Sequence, residues 1–353
     1  MKVLISGICG FVGSGLALGL RRAGLEVCGF DNFSRPGSEL NRPRIEAAGV
    51  EFFRGDARFE KDLAALRGID WLIDAAANPS VLAGIDGKTG SRELLEHNLW
   101  GTVNLLELCK REGAGLVLLS TSRVYSIEAL RSLPLAERGG AFVLDETLPA
   151  AGPQGLTENF PTSAPISLYG ASKLASEQVA LEYGAAFGFP VWVNRCGVMA
   201  GAGQFGKPDQ GIFSYWIHSW AAGAPLKYIG FGGSGHQVRD CLHPDDLLEL
   251  VLKQMGAGMD PGATKCRIVN ASGGADSAMS LRQLSDWCAA EFGPREVGAD
   301  LSPRSFDLPW VVLDAAKAAD VWGWRPRRST REICAEIAEH ARSRPDWLAI
   351  SAG

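Results

Sequence analysis

Tyr169 and Lys173 stand four residues apart in "YGASK", inside the segment "SLYGASKLASEQVALEYGAAFG", whose apolar spacing predicts a helix. On a helix, residues four apart present their side chains on the same face. An ammonium near a phenol favours the phenolate. Lowering a tyrosine pKa from about 10 by three units is worth roughly 4 kcal/mol and makes the residue a usable base near neutral pH. An isolated Y-x-x-x-K is usually an exposed aromatic beside a solvated lysine. Here an apolar strand, "GLVLLSTS", precedes it and ends in hydroxyl residues, so Thr121 stands as a hydroxyl relay opposite Tyr169. Such a trio takes a proton from a hydroxyl group while a cofactor handles the carbon-bound hydrogen.

That cofactor needs a seat, and the opening stretch "MKVLISGICGFVGSGLALGL" supplies a candidate. One Lys before an apolar run also suggests a secretory signal, but Gly7, Gly10, Gly13 and Gly15 interrupt the run and Arg21 and Arg22 close it. The alternative is a strand, "KVLIS", a glycine turn, a helix ending near Gly24 and a second strand, "LEVCGF", ending on Asp31. In a dinucleotide site the first glycine permits the tight turn, the second lets pyrophosphate approach the backbone, and the third packs helix against strand. The helix N-terminus offers unpaired N–H groups to the phosphates. Asp31, eighteen residues after Gly13, is placed to accept hydrogen bonds from ribose hydroxyls, which favours NAD; Arg35 keeps NADP open. This reading predicts a cytoplasmic enzyme.

Further alternation follows: "VEFFRGD" as a third strand ending at Asp56, "EKDLAALR" as a helix, "DWLIDAAA" as a fourth strand, and a long helix through "SRELLEHNLWGTVNLLELCKREG". "FPVWVNRC" is a sixth strand, and "CRIVN" is expected to return to the sheet. The fold class is α/β, a Rossmann-type doubly wound parallel sheet with a smaller C-terminal substrate-binding lobe. The division expected is 1–195 for the NAD-binding domain and 196–353 for the lobe. Periodicity fails across 126–165, a long connection of the kind that forms lids or binding loops. The aromatic run "FSYWIHSW" suits a packed helix better than a pocket wall, and "LHPDD" reads as a helix start. The tail "RSRPDWLAISAG" is expected to fray.

The 353 residues carry a formal net charge of −5, with no basic excess to suggest nucleic acid and no later apolar run long enough for a membrane span. Eight cysteines are scattered singly without C-x-x-C spacing, as buried thiols in a reducing compartment would be, and the five histidines show no ligand spacing, so no metal is expected.

Taken together, "GICGFVG", "DNFSRPG", "GDAR", "NLWGTVNLLE", "STSRVY", "LYGASK" and "HQVRDCLHPDD" make the chain resemble the extended short-chain dehydrogenase/reductase family, and within it the nucleotide-sugar epimerases. The resemblance implies the catalytic triad Thr121, Tyr169 and Lys173. It implies NAD contacts from Gly7, Gly10, Phe11, Val12, Gly13, Asp31, Asn32, Ser34, Arg35, Asp56, Ala57, Ala75, Ala76, Ala77, Asn98 and Cys196, besides Tyr169 and Lys173 themselves. It also implies that Gln204, Gln210 and Arg239 face the sugar nucleotide, and that the protein is a homodimer. "DNFSRPG", "GQFGKPDQG" and "QVRD" are most similar to the branch acting at C2 of CDP-linked dideoxyhexoses, the paratose/tyvelose pair. Two departures stand out. Val198 occupies a position where relatives commonly carry Asn. Ser122 and Arg123 stand where sugar-nucleotide dehydratases place an Asp–Glu pair, so dehydration lacks its acid and base. The same triad also suits a nucleotide-sugar dehydrogenase or reductase with exchangeable NAD(P). A dinucleotide-sensing regulator would be expected to lack Tyr or Lys.

Overall fold

Five-to-seven-residue apolar runs such as Lys2–Ser6 and Gly115–Thr121 are buried on both sides, as strands of a parallel sheet covered by helices on each face must be. In the computed structural model, which describes residues 1–258 and 266–352, these runs and shorter ones together make seven strands of one parallel sheet. They are Lys2–Ser6, Glu26–Asp31, Glu51–Arg54, Trp71–Asp74, Gly115–Thr121, Val191–Cys196 and Ile268–Ala271, numbered first to seventh below. Their spatial order is third, second, first, fourth, fifth, sixth, seventh. The order reverses between the first and fourth strands, which opens a crevice at their C-terminal ends.

That crevice is held by polar bonds at the strand ends. Ser6 and Asp74 lie side by side in register, and the Ser6 hydroxyl donates to Asp74 at 2.8 Å. The Ser6 oxygen also accepts from the N–H groups of Ala75 and Ala76, while Thr102 donates to Asp74 at 2.7 Å. Residues 75–77 are thereby fixed as a wall.

The expected helix 91–112 forms with a π turn at Glu96–Trp100, and the expected Tyr169 helix spans Ser167–Phe187. The smaller lobe is a four-stranded sheet (Val198–Met199, Val238–Leu242, Ala278–Ser280, Trp310–Val311) with the helices Ile212–Ala221, Leu281–Phe292 and Thr330–Ser343 beside it. Phe213, Trp216, Ile217 and Trp220 of the aromatic run are core, joined by Ile333 and Ile337. "LHPDD" does start a helix, Pro244–Gly256, capped by His243.

Two expectations need correction. The 126–165 stretch is ordered: a helical turn at Ile127–Arg131 and two short hairpins, Leu135–Leu144 and Ala151–Leu156. Its apolar residues make a core with Leu308–Leu313, and it supplies no wall of either cleft described below. Periodicity failed because its partners lie some 150 residues away in sequence. The tail also docks: Trp347–Ala352 is helical, with Trp347 and Ser351 buried.

One buried ion pair locks the Tyr169 helix to the sheet. Arg195 of the sixth strand donates to both carboxylate oxygens of Glu177, at 3.1 and 2.8 Å, and Ser120 of the fifth strand donates to the same carboxylate. Both partners are almost fully buried. Removing one charge strands the other in a low-dielectric interior. Glu177→Leu is expected to lose about 3–5 kcal/mol in urea unfolding, and the double variant Glu177→Leu/Arg195→Met to regain most of it. Equal losses in both variants would contradict this.

Candidate functional site

The crevice at the strand ends is a cleft of about 410 Å³. Gly7 turns at φ +63°, and a Cβ added at Gly13 would sit 2.3 Å from the Gly7 carbonyl oxygen, so only glycine lets the Phe11–Arg22 helix pack this close. That helix has no side-chain cap and no acid in its first turn, which leaves its N-terminal N–H groups for an anion. Asp31 accepts from Cys9 N at 3.0 Å and Phe33 N at 2.8 Å; burial raises its carboxyl pKa against these bonds. Burial also works to raise Asp56, but Arg58 and Asn32 bond to it and hold it at about 2.

The structure brings Gly7, Gly10, Phe11, Val12, Gly13, Asp31, Asn32, Ser34, Arg35, Asp56, Ala57, Ala75, Ala76 and Ala77 to this cleft. Three other expected contacts lie behind its walls. Asn98, in the π turn, spends its amide on Asn78 and the Ser172 hydroxyl, tying the cleft wall to the Tyr169 helix. Cys196 is buried, its thiol pushed up to about 12 by desolvation. Lys173 is buried beside Cys196 and makes no ion pair among the described residues. A glycine-walled cradle, an uncapped helix start and a buried, unpaired ammonium together fit a dinucleotide such as NAD: pyrophosphate at Phe11–Gly13, ribose hydroxyls at Asp31 and Lys173.

Tyr169 and Thr121 both face the cleft, and the Thr121 hydroxyl lies within hydrogen-bonding reach of the phenol. The direction of the phenol pKa differs from the sequence expectation. Burial pushes it up, and the Thr121 bond and the Arg123 guanidinium oppose that rise.

A second cavity of about 150 Å³ adjoins the cleft, sharing Arg123, Val198 and Gln210 with it. Arg239 lines it, donating to Asp307 at 3.4 Å and to the Leu308 carbonyl at 2.9 Å. Arg304, Phe306 and Asp307 complete that wall. Sequence reasoning missed all three, because "SPRSFD" has no periodicity and touches Arg239 only through the fold; Arg123 was noticed for what it replaces and not for what it faces. Three arginines, Arg123, Arg239 and Arg304, in one small cavity suit a diphosphate.

Gln204 lines the cleft, and its side-chain oxygen is a buried acceptor without a partner in the protein. Its segment is braced from three sides. Arg35 reaches across to Gln210 and the Phe205 carbonyl. Trp347 of the docked tail stacks on Phe205 at 5.1 Å and donates to the Gln204 carbonyl at 2.9 Å. Glu336 accepts from Ala202 N at 3.1 Å and pairs with His243 at 3.2 Å and Arg328 at 2.8 Å.

Burial works against the Glu336 charge, but the His243, Ala202 and Arg328 contacts outweigh it and hold the carboxyl at about 2. A carboxylate depressed in the folded state stabilises fully above its unfolded pKa and loses that contribution as pH falls toward the folded value. Allowing for solvent screening, Glu336→Gln is expected to be about 1–2 kcal/mol less stable at pH 7. In urea titrations the gap should narrow between pH 5 and pH 3; a gap independent of pH would contradict the assignment.

Residues 3–264 match the model of the NAD dependent epimerase/dehydratase family. The chain is 29% identical over 348 residues to the CDP-paratose 2-epimerase of Salmonella typhi, covering 94% of this chain and 96% of that one. It is 27% identical to UDP-glucuronate 4-epimerase 1 of Arabidopsis thaliana, covering 92% of this chain and 73% of that protein. The fold superposes on the UDP-glucose 4-epimerase of Thermus thermophilus, solved with NAD, at a TM-score of 0.74 and 27% identity, over 97% of this chain and 99% of that one. The chain belongs to the NAD dependent epimerase/dehydratase family.

Proposed function

We propose that this chain, an NAD-dependent nucleotide-sugar epimerase, inverts C2 of a CDP-linked dideoxyhexose through a transient keto sugar. One observation carries the reading. Tyr169 and Thr121 face the dinucleotide cleft beside Arg123, which also lines the adjoining arginine-walled cavity, and no carboxylate stands in the two positions after Thr121. Oxidation and re-reduction at a carbinol need a base and a relay there, whereas elimination needs an acid. The CDP sugar is supported by "DNFSRPG", "GQFGKPDQG" and "QVRD", and by a relative of matching length across both chains.

NAD, when bound, takes the carbon-bound hydrogen with its electrons and gives it back. The protein's residues govern the proton and the geometry. Tyr169 accepts the proton of the reacting hydroxyl at its phenolic oxygen and returns it when the opposite face of the ketone is presented. Thr121 bonds to the phenol and steadies the reacting oxygen. Lys173 holds the nicotinamide ribose from behind the cleft wall, and Arg239 with Arg304 grips the diphosphate so that the sugar can turn without leaving. Gln204 and Gln210 face the sugar nucleotide from the braced 204–211 segment. Arg35, spanning the cleft, supports retention of the cofactor over its exchange.

The same reading makes the protein a cytoplasmic homodimer. All eight cysteines are free, and no described helix is long and apolar enough to cross a membrane. Leu95, Trp100 and Phe187 are exposed apolar side chains on the two helices that pack together on the outer face.

Purified protein given no cofactor is expected to interconvert CDP-tyvelose and CDP-paratose, to leave UDP-glucose and UDP-glucuronate unchanged, and to release about one NAD per chain on denaturation. Turnover of a UDP sugar alone would overturn the sugar assignment. Net oxidation or reduction dependent on added NAD(P) would overturn epimerisation.

A further inference from the structure

Residue 123 is fastened to the catalytic pair through its backbone on both sides. Its N–H donates to the Thr121 side-chain oxygen at 3.2 Å, which leaves the threonine proton free to point toward the phenol. Its carbonyl packs against the helix one residue beyond Tyr169, where a Cβ on Gly170 would lie 2.3 Å from the Arg123 oxygen. The position of its side chain relative to Tyr169 is therefore set by the packing of the fifth strand's end on the Ser167–Phe187 helix.

Arg123 lines both the cofactor cleft and the adjoining cavity, so it stands where the two meet. It has five N–H donors, and the protein acceptor it meets is the Phe306 carbonyl, at 3.2 Å. The nearest acid, Asp307, is already engaged by Arg239. Desolvation and the neighbouring positive charge of Arg239 lower the Arg123 pKa to about 10, with Arg304 adding to the repulsion and Asp307 and Tyr169 opposing it. A bound diphosphate neutralises Arg239 and Arg304 and leaves Arg123 directed at the sugar and the phenol.

Resting on the epimerase reading above, we propose that Arg123 is a catalytic residue: its guanidinium bonds to the oxygen at or beside the reacting carbon and supplies the positive charge against which Tyr169 ionises. The groups facing the phenol are Thr121, Arg123 and Cys196, with Lys173 one turn along the same helix. The positive charge of Arg123 opposes the rise that burial imposes on the phenol. The proton leaves the sugar hydroxyl for the phenolate oxygen while the guanidinium keeps its own protons throughout. The second position of the dehydratase Asp–Glu pair thus holds a cation here, which stabilises an alkoxide or ketone oxygen and cannot serve elimination as a carboxylate would.

The test needs no substrate in its first arm. Tyrosinate absorbance is titrated against pH in the NAD-bound protein, and the Tyr169→Phe curve is subtracted to isolate Tyr169. Arg123→Gln is expected to move that transition upward by about one unit or more, and Arg123→Lys to restore most of it. Bound NAD and the unfolding midpoint should stay close to wild type in both variants, which separates charge loss from a folding defect. In the second arm, on whichever nucleotide sugar the protein turns over, kcat in Arg123→Gln should fall at least about tenfold, its acidic limb shifted upward in parallel. A Tyr169 transition unchanged in Arg123→Gln overturns the proposal whatever the sugar proves to be. Absence of turnover on CDP-tyvelose overturns only the sugar assignment.

Discussion

The helix carrying Tyr169 approaches the end of the fifth strand so closely at Gly170 that no side chain fits between them. That contact brings Tyr169, Thr121 and Arg123 to the wall of one cleft. Its cost is that the phenol is buried, and burial disfavours the anion the chemistry requires. Groups that oppose that penalty stand beside the phenol: Thr121 and Arg123 line the same cleft, and Lys173 lies buried on the same helix. The Glu177–Arg195 pair, one turn beyond Lys173, anchors the same helix to the sheet.

The substrate wall follows a different rule. Residues 200–211 form no long element, and their placement is imposed from outside by Arg35 and by Glu336 and Trp347, all far from the segment in sequence. Because Arg35 also lines the cofactor cleft, the cofactor side and the sugar side share a strap.

Much of this was legible in the residues. Two-sided apolar runs marked six of the seven strands, and "CRIVN" marked the return that supplies the seventh, Ile268–Ala271. Glycines at 7, 10 and 13 located the cradle because each answers a local steric demand. What stayed hidden was nonlocal. The hairpins of 126–165 pack on Leu308–Leu313, the tail docks through Trp347, and Asn98 turns inward at a π turn that no periodicity announces. Arg304 and Asp307 join Arg239 only in three dimensions. The direction of the Tyr169 shift was misjudged for a related reason: spacing shows that Lys173 shares a helix face with Tyr169, but not that the phenol is buried.

The central claim is that hydrogen leaves a sugar carbon with its electrons and returns to the other face of the same carbon, with Tyr169 moving only the hydroxyl proton. The most direct measurement is NMR of the purified protein converting CDP-tyvelose in deuterated water with no cofactor added. The account predicts CDP-paratose with protium retained at C2. Deuterium at C2 of the product would contradict it, because the carbon-bound hydrogen would then have exchanged with solvent as a proton.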